Sequence, residues 1–149
     1  MKTPTLPTIS IEVTQKVDLQ RIEDLLCGAF EGGSNYWYQI EGYTKPKALT
    51  FKGDCLDLLK EGDDPMKKFR YLTYPLNEGG AVLISTDEGE LNEDNKDIHT
   101  LDLKAIKKGL QIMAKDYPRH FNDFMQENDD ACTSDVFLQC CLFGEVVFG

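Results

Sequence analysis

The alternation of apolar and polar positions predicts a strand near the start of the chain, followed by a helix. In Thr8–Val13, Ile9, Ile11 and Val13 alternate with polar residues, a period of two that is typical of a half-buried strand. From Leu19 to Phe30 the apolar residues recur at helical spacing instead, so this helix is expected to bury a broad face.

The ends of this helix also carry recognisable signals. Asp18 is a suitable N-cap, and Val17 and Ile22 occupy the two positions of a hydrophobic staple. Gly32 and Gly33 are expected to end the helix, because glycine enters the left-handed conformation without a steric penalty.

Three more strands are predicted, at Tyr36–Tyr43, Phe69–Leu76 and Ala81–Thr86. The turn residues at 77–80 predict that the last two strands form a hairpin. Residues 44–68 show no clear period, although short elements at 49–51 and 54–60 fit their apolar positions.

A second long helix is predicted after Asp102, which serves as its N-cap, and is broken by Pro118. Gly109 lies inside it at a cost of up to about 1 kcal/mol relative to alanine, which indicates a close contact with another helix. A shorter helix over Arg119–Gln126 follows.

The C-terminal part predicts a buried helix. Val136–Phe143 is apolar nearly all round apart from Gln139, and Gly144 is placed to end it, with Asp130 or Ser134 near its start. A helix of this kind is either central to the core or covered by another subunit, so a homo-oligomer is a possible state of the protein.

These elements predict an α+β fold. We expect a mainly antiparallel sheet of about four strands, two long helices and the buried C-terminal helix. A chain of 149 residues is the usual length of one domain, so a single domain over 1–149 is expected.

The charge of the chain narrows the classes of partner. Its formal net charge is −10, and residues 76–149 carry 15 acidic and 6 basic side chains. Direct DNA binding is disfavoured, because it needs clustered Lys and Arg. An acidic surface suits solubility, a basic protein partner or imitation of DNA.

The five cysteines and the N-terminal sequence predict a cytoplasmic protein. The cysteines are odd in number and form neither a disulfide framework nor a zinc-ligand spacing. No stretch of the sequence is long and apolar enough for a signal peptide or a membrane span, so no membrane partner is expected.

The segment Glu31–Tyr38, EGGSNYWY, is the main candidate for a ligand-binding site. One interpretation is a stacking surface for a flat ligand, with Tyr36 and Tyr38 on one face of a strand and Ser34 and Asn35 as polar partners. The other is a glycine helix end followed by an aromatic core strand. A nucleotide phosphate loop is excluded by the order of helix and glycines.

One basic and one acidic segment are further candidates for binding sites. Lys45, Lys47 and Arg70 belong to the only basic part of the chain, and they are predicted to contact the phosphates of a nucleotide stacked on the tyrosines. Asp87, Glu88 and Glu90 open an acidic loop, which is predicted to bind a protein partner.

Residues with catalytic or metal-binding chemistry give weaker patterns. Carboxylates are densest around Asn128, Asp129, Asp130 and Asp135, which could hold a hard cation such as Mg²⁺ or Ca²⁺. Their spacing is not that of a calcium loop, so helix capping and solvation are the favoured explanation. His99 and His120 have no nucleophile nearby in sequence. No metal or cofactor is expected, and an enzyme using these carboxylates and histidines is the alternative class.

Four segments together resemble a group of small phage and prophage proteins without an established activity. The segments are EGGSNYWY at 31–38, Gly79-Gly80, GLQIMAKDYPRHFNDF at 109–124 and NDDACTSDVFLQCCLFGEVVFG at 128–149. The resemblance implies no catalytic residues. It implies a non-catalytic accessory protein that antagonises a host defence by blocking a host protein or by sequestering a small nucleotide.

Overall fold

The computed structural model describes residues 6–53, 70–86 and 97–149. In these ranges a three-stranded sheet packs with helices in an α+β arrangement. The helices are α1 (Leu19–Gly28), α2 (Arg70–Thr73), α3 (Leu103–Asp116), α4 (Pro118–Met125) and α5 (Ala131–Phe143), with a π-helix at Ala29–Gly33 and a 3₁₀ turn at Tyr74–Leu76.

The sheet is antiparallel and has the order β1-β2-β3. Its strands are β1 (Tyr38–Thr44), β2 (Ala81–Thr86) and β3 (Ile98–Leu101). Tyr38 lies opposite Thr86, so β1 and β2 run past each other over their full lengths. The described residues therefore contain three strands and not about four, and β3 has no counterpart among the predicted strands.

The predicted strand at Thr8–Val13 is wrong. Residues 6–18 form neither helix nor strand, and Ile9, Ile11 and Val13 are 89%, 76% and 67% exposed. An alternating pattern becomes a strand only where a neighbouring strand takes up its backbone hydrogen bonds and a core takes up its apolar face. This segment has neither among the described residues.

The predicted strand at Phe69–Leu76 and its hairpin are wrong as well. The described part of that stretch is helical, first as α2 and then as the 3₁₀ turn. The buried side chain of Asn77 explains the turn. It donates to the carbonyls of Thr73 and Phe51 and accepts from the Phe51 amide, so it fastens this turn to residues 50–51. The predicted element at 49–51 is not a strand, and the one at 54–60 lies outside the described residues.

The first long helix is confirmed, but its end is not the predicted one. Asp18 occupies the N-cap position without a side-chain hydrogen bond. Gly33 ends the π-helix, yet it is not among the glycines with left-handed backbone. It is required for a different reason, since a Cβ atom on Gly33 would stand 2.2 Å from the carbonyl oxygen of Ala131.

The helix signals in the second half of the chain are confirmed. Asp102 accepts a hydrogen bond from the Ala105 amide at the start of α3, and Asp130 accepts one from the Thr133 amide at the start of α5. Gly144 ends α5 in the left-handed conformation, with a φ of 77°. Such local signals act within one turn of a helix, so they do not depend on the rest of the fold.

Helix α5 is the centre of the core. It contacts α1, α3, α4, β3 and the π-helix, and its side chains at 137, 138, 140 and 141 are buried. The predicted close contact at Gly109 is confirmed, because a Cβ there would lie 2.8 Å from the backbone of Cys141. The apolar surface of α5 is thus covered largely by its own chain.

Candidate binding site around Asp135

Asp135 joins residues 34–37 to the C-terminal helix through three hydrogen bonds. Its Oδ1 accepts from the Ser34 hydroxyl and from the Trp37 indole Nε1, each at 2.7 Å. Its Oδ2 accepts from the Tyr36 hydroxyl, also at 2.7 Å. The EGGSNYWY segment and the C-terminal helix therefore meet at one carboxylate.

The backbone around Gly33 brings these groups together. The π-helix leads into a turn at 34–37, and this turn presents Ser34, Tyr36 and Trp37 to the first turns of α5. Only a residue without a Cβ lets the two backbones approach this closely at Gly33. The close approach at Gly33 therefore accompanies the short hydrogen bonds from the turn at 34–37 to the Asp135 carboxylate.

The C-terminal tail closes one side of this region. The buried Gln139 accepts from the amides of Val147 and Phe148 at 2.7 and 2.8 Å, and it donates to the Phe148 carbonyl at 3.2 Å. The Phe148 ring is then stacked on Trp37, with ring centres 5.3 Å apart and planes 12° from parallel. Gln139 thereby holds the tail against the aromatic segment.

A cavity of about 450 Å³ opens between the π-helix end, α5 and the tail. Its volume is within the range of small-molecule and side-chain sites. Its lining residues are Gly32, Gly33, Tyr36, Ala131, Cys132, Asp135, Val136, Val146, Phe148 and Gly149.

None of the described side chains that line this cavity carries a positive charge to neutralise the Asp135 carboxylate. Asp135 is a carboxylate, and no lysine, arginine or histidine is among the lining residues that the structure describes. Burial, and after it the hydrogen bond to Asp135, raises the pKa of Tyr36 to about 12. Tyr36 is therefore a neutral donor to the carboxylate at physiological pH, and the cavity favours a cationic or N–H-donating group.

The predicted ligand residues of the EGGSNYWY segment are used in different ways. Tyr36 lies in the turn, 52% exposed at the cavity, and Ser34 is buried beside it. Tyr38 is the first residue of β1 and donates to the Phe30 carbonyl at 2.7 Å, with burial raising its pKa. Asn35 is exposed in the turn and does not line the described cavity.

The basic residues are not brought to this cavity. Lys45 and Lys47 follow the end of β1 that pairs with Ala81, whereas Tyr36 precedes the opposite end. A strand of this length separates the two ends by about 20 Å. Arg70 begins α2, shortly before the turn that leads into Ala81. The predicted partner residues Asp87, Glu88 and Glu90 lie outside the described residues.

The other carboxylates have structural partners. Asp129 pairs with Arg21 at 2.9 Å, a contact that ties α1 to the loop before α5. Backbone hydrogen bonding to Thr133 lowers the pKa of Asp130, as expected for a cap. Among the described residues, no group of three or more His, Cys, Asp or Glu is arranged to hold a metal ion.

Neither histidine lies at the cavity. His120 contacts the buried Thr133 hydroxyl at 3.1 Å, and that hydroxyl in turn donates to Asp130. His99 pairs with Asp97 at 2.9 Å and packs its ring edge-on against Phe143.

The cysteines differ in exposure. Cys140 and Cys141 are buried in α5, and burial raises the pKa of both thiols, that of Cys140 to about 12. Cys132 is exposed and lines the cavity. A thiol with a raised pKa is a weak nucleophile, so the two buried thiols act as small core side chains.

Sequence reasoning did not identify Asp135 or Gln139 as site residues. Gln139 carried a usable signal, because a single polar residue in an apolar helix must find hydrogen-bond partners when it is buried. Asp135 lies close in sequence to Asp129 and Asp130, so its position among carboxylates does not distinguish it. Its partners lie about a hundred residues away along the chain, at a separation that no local pattern reveals.

Comparison with known proteins gives no relative. No protein-family model matches the chain, no curated protein is significantly similar to it, and no solved structure matches its fold. Within residues 6–53, 70–86 and 97–149, no helix has the length and apolar character needed to cross a membrane.

Proposed function

We propose that this chain is a non-catalytic binding protein, of the kind found among phage accessory proteins, and that it binds a basic segment of a protein partner. The observation that carries the proposal is the Asp135 carboxylate, which lines a cavity with no basic side chain among the lining residues that the structure describes. Opposite charge from a partner would complete this site.

The charge of the whole molecule supports the same partner. A net charge of −10 attracts a basic protein over a distance of the order of the Debye length, about 8 Å at physiological salt. A host defence protein that binds nucleic acid has such a basic surface, and an acidic binder covers it as a DNA mimic does.

The alternative ligand, a nucleotide, has less support. Its phosphates would meet Asp135 in the cavity, and Lys45 and Lys47 lie about 20 Å away along β1. An enzyme also has less support. Thr133 contacts both His120 and Asp130 at the start of α5, and none of the three is among the residues that line the cavity.

The proposal includes a cytoplasmic location. Cys132 is a free, exposed thiol, and exposed thiols persist in a reducing compartment. The apolar surface of α5 packs within its own chain, so it does not require a second subunit to cover it.

Selection of random peptides displayed on phage tests the proposal without a known partner. We expect the enriched peptides to carry Arg or Lys, to bind less tightly as salt is raised, and to lose affinity for Asp135→Asn. The exposed Asp116 provides a control, because Asp116→Asn removes the same charge at the end of α3. Enrichment of peptides without basic residues, or equal binding by Asp135→Asn and the native chain, would contradict the proposal.

A further inference from the structure

Three features of the Asp135 cavity specify the group that enters it: the unused acceptor position of the carboxylate, the apolar walls and the exposed ring of Tyr36. Each can be read from the described contacts. Together they distinguish an arginine side chain from a lysine side chain and from a neutral amide. The inference rests on the proposed function and names the chemical group that the partner supplies.

The first feature is the hydrogen-bonding capacity of Asp135. A carboxylate has about four acceptor positions, two on each oxygen. Ser34 and Trp37 occupy both positions of Oδ1, and Tyr36 occupies one of Oδ2. Within the part of the chain that the structure describes, one position on Oδ2 has no donor, on a carboxylate that lines the cavity, and a donor with a positive charge forms the strongest bond there.

The second feature is the apolar wall. Val136, Val146 and Phe148 line the cavity, and they offer a surface for the methylene groups of a long basic side chain. Arg and Lys commonly bury these stems while the charged end meets a polar group. The wall therefore fits a basic side chain better than a small inorganic cation.

The third feature distinguishes guanidinium from ammonium. Tyr36 is 52% exposed and lines the cavity, and a planar guanidinium can stack on an exposed aromatic ring while it donates in its own plane.

We propose that the cavity is an arginine socket, in which the guanidinium of a partner's arginine donates to Oδ2 of Asp135 and stacks on Tyr36. The arginine socket is formed by Gly33, Tyr36, Asp135, Val136, Val146 and Phe148. The stem of the arginine lies along the two valines. An arginine of the partner is then an anchor residue, which agrees with the frequent use of arginine at the centre of protein interfaces.

Two signals from the native chain report on the arginine socket. The sequence has one tryptophan, so a ¹⁵N-labelled sample gives a single indole N–H resonance, and that N–H donates to Asp135. Cys132 is exposed on the cavity wall, so an occupant slows its alkylation. Peptide mapping by mass spectrometry separates this thiol from the other cysteines.

The test is a titration with three matched probes: the N-acetyl methylamides of arginine, lysine and citrulline. We expect the arginine probe to shift the Trp37 indole resonance with saturation in the millimolar range, as befits a small ligand, and to slow alkylation of Cys132. We expect the lysine probe to bind several-fold more weakly. The neutral citrulline probe should bind at least about tenfold more weakly, because it lacks the charge.

Two variants separate contact from structural support. Asp135→Asn should weaken the arginine probe at least about tenfold. Tyr36→Leu removes the ring, so it should weaken the arginine probe more than the lysine probe. If Asp135 and Tyr36 act only by holding the fold, each variant weakens the arginine and lysine probes to the same extent. Circular dichroism and thermal melting confirm that each variant is folded.

The outcomes separate this inference from the proposed function. If basic peptides bind in an Asp135-dependent manner but the arginine probe neither shifts Trp37 nor protects Cys132, the arginine socket is wrong and the proposed function stands. Equal binding of the arginine and citrulline probes also overturns the arginine socket. If basic peptides and the arginine probe both fail to bind, both proposals are wrong.

Discussion

Gly33 packs against Ala131 so closely that a Cβ atom on Gly33 would lie 2.2 Å from the Ala131 carbonyl oxygen. The neighbouring Gly32 has nothing within 4 Å of the same position. The two adjacent glycines therefore have different roles. One permits the contact between the π-helix and α5, and the other is exposed at the end of the π-helix.

This pair gives a matched test of the helix contact. Gly33→Ala should lower the free energy of unfolding by about 1–3 kcal/mol or more, because the new methyl group meets backbone that cannot move without shifting α5. Gly32→Ala should change it by less than about 1 kcal/mol. Urea denaturation measures both. Equal destabilisation by the two variants would show that the close contact is absent.

The titration of Tyr36 tests its bond to Asp135. Burial, and after it the bond to Asp135, raises its pKa to about 12 from the ordinary value of 10.0. In Asp135→Asn we expect the pKa to fall part of the way towards 10.0, since the carboxylate is neutralised but the burial remains. Because the unfolded chain loses this proton first, the stabilisation is present below pH 10 and is lost as pH rises towards 12. NMR of ¹³C-labelled tyrosine follows the titration, and an unchanged pKa in Asp135→Asn would contradict the bond.

Gln139→Leu should release the C-terminal tail. The leucine fills the helix position but leaves the amides of Val147 and Phe148 without their acceptor, at a cost of about 1–3 kcal/mol. We expect faster hydrogen exchange at 147–148 and a red-shifted emission from Trp37, whose ring loses the Phe148 cover. Gln111→Leu, at an exposed site on α3, is the control. Similar hydrogen exchange at 147–148 in both variants would argue against the hydrogen bonds between Gln139 and the tail.

The exposed N-terminal segment should tolerate polar substitutions. Ile9→Ser and Ile11→Ser together should change the free energy of unfolding by no more than about 0.5 kcal/mol, as is usual at exposed positions. Ile22→Ser, at a site that is 5% exposed on α1, should cost several times more, on the order of 2–4 kcal/mol. A large loss from the double variant would mean that the segment packs in solution.

The cap of α5 gives a prediction for acid conditions. The pKa of Asp130 lies below its ordinary value of 3.8 because the Thr133 amide donates to the carboxylate. The stabilisation is therefore present above about pH 4 and is lost as pH falls through the lower folded pKa. Asp130→Asn keeps a capping group that does not titrate, so its stability should fall less steeply between pH 4 and 2. Parallel slopes for the two proteins would rule out this role.

The sequence predicts the helices well because their signals are local. Asp102, Asp130 and Gly144 each act within one turn of the helix that they begin or end, and such signals are not overridden by distant contacts. The strands at 8–13 and 69–76 were wrong for the complementary reason. A period of two describes a strand only if a partner strand exists, and at 74–77 the tertiary bonds of Asn77 favour a turn instead.

The site was predicted in part. The EGGSNYWY segment does contribute Ser34 and Tyr36 to the candidate site, but its chemistry is set by Asp135, 99 residues after Tyr36. Trp37 is buried, and Tyr36 and Tyr38 do not share a face of β1, since the strand begins only at Tyr38. The hydrogen bonds between residues 34–37 and Asp135 depend on how α5 packs against the π-helix. No local pattern of apolar and polar residues predicts that packing.

The central place of α5 constrains how this protein reaches its native state. The helix that α1, α3, α4 and β3 all pack against is formed by residues 131–143, late in the sequence. During synthesis the earlier helices lack this packing partner until residues 131–143 have left the ribosome, so we expect the apolar faces that pack on α5 to stay exposed until then. The folding rate is then limited by contacts between distant parts of the chain. A truncated chain that ends before residue 131 lacks the helix around which the other elements assemble.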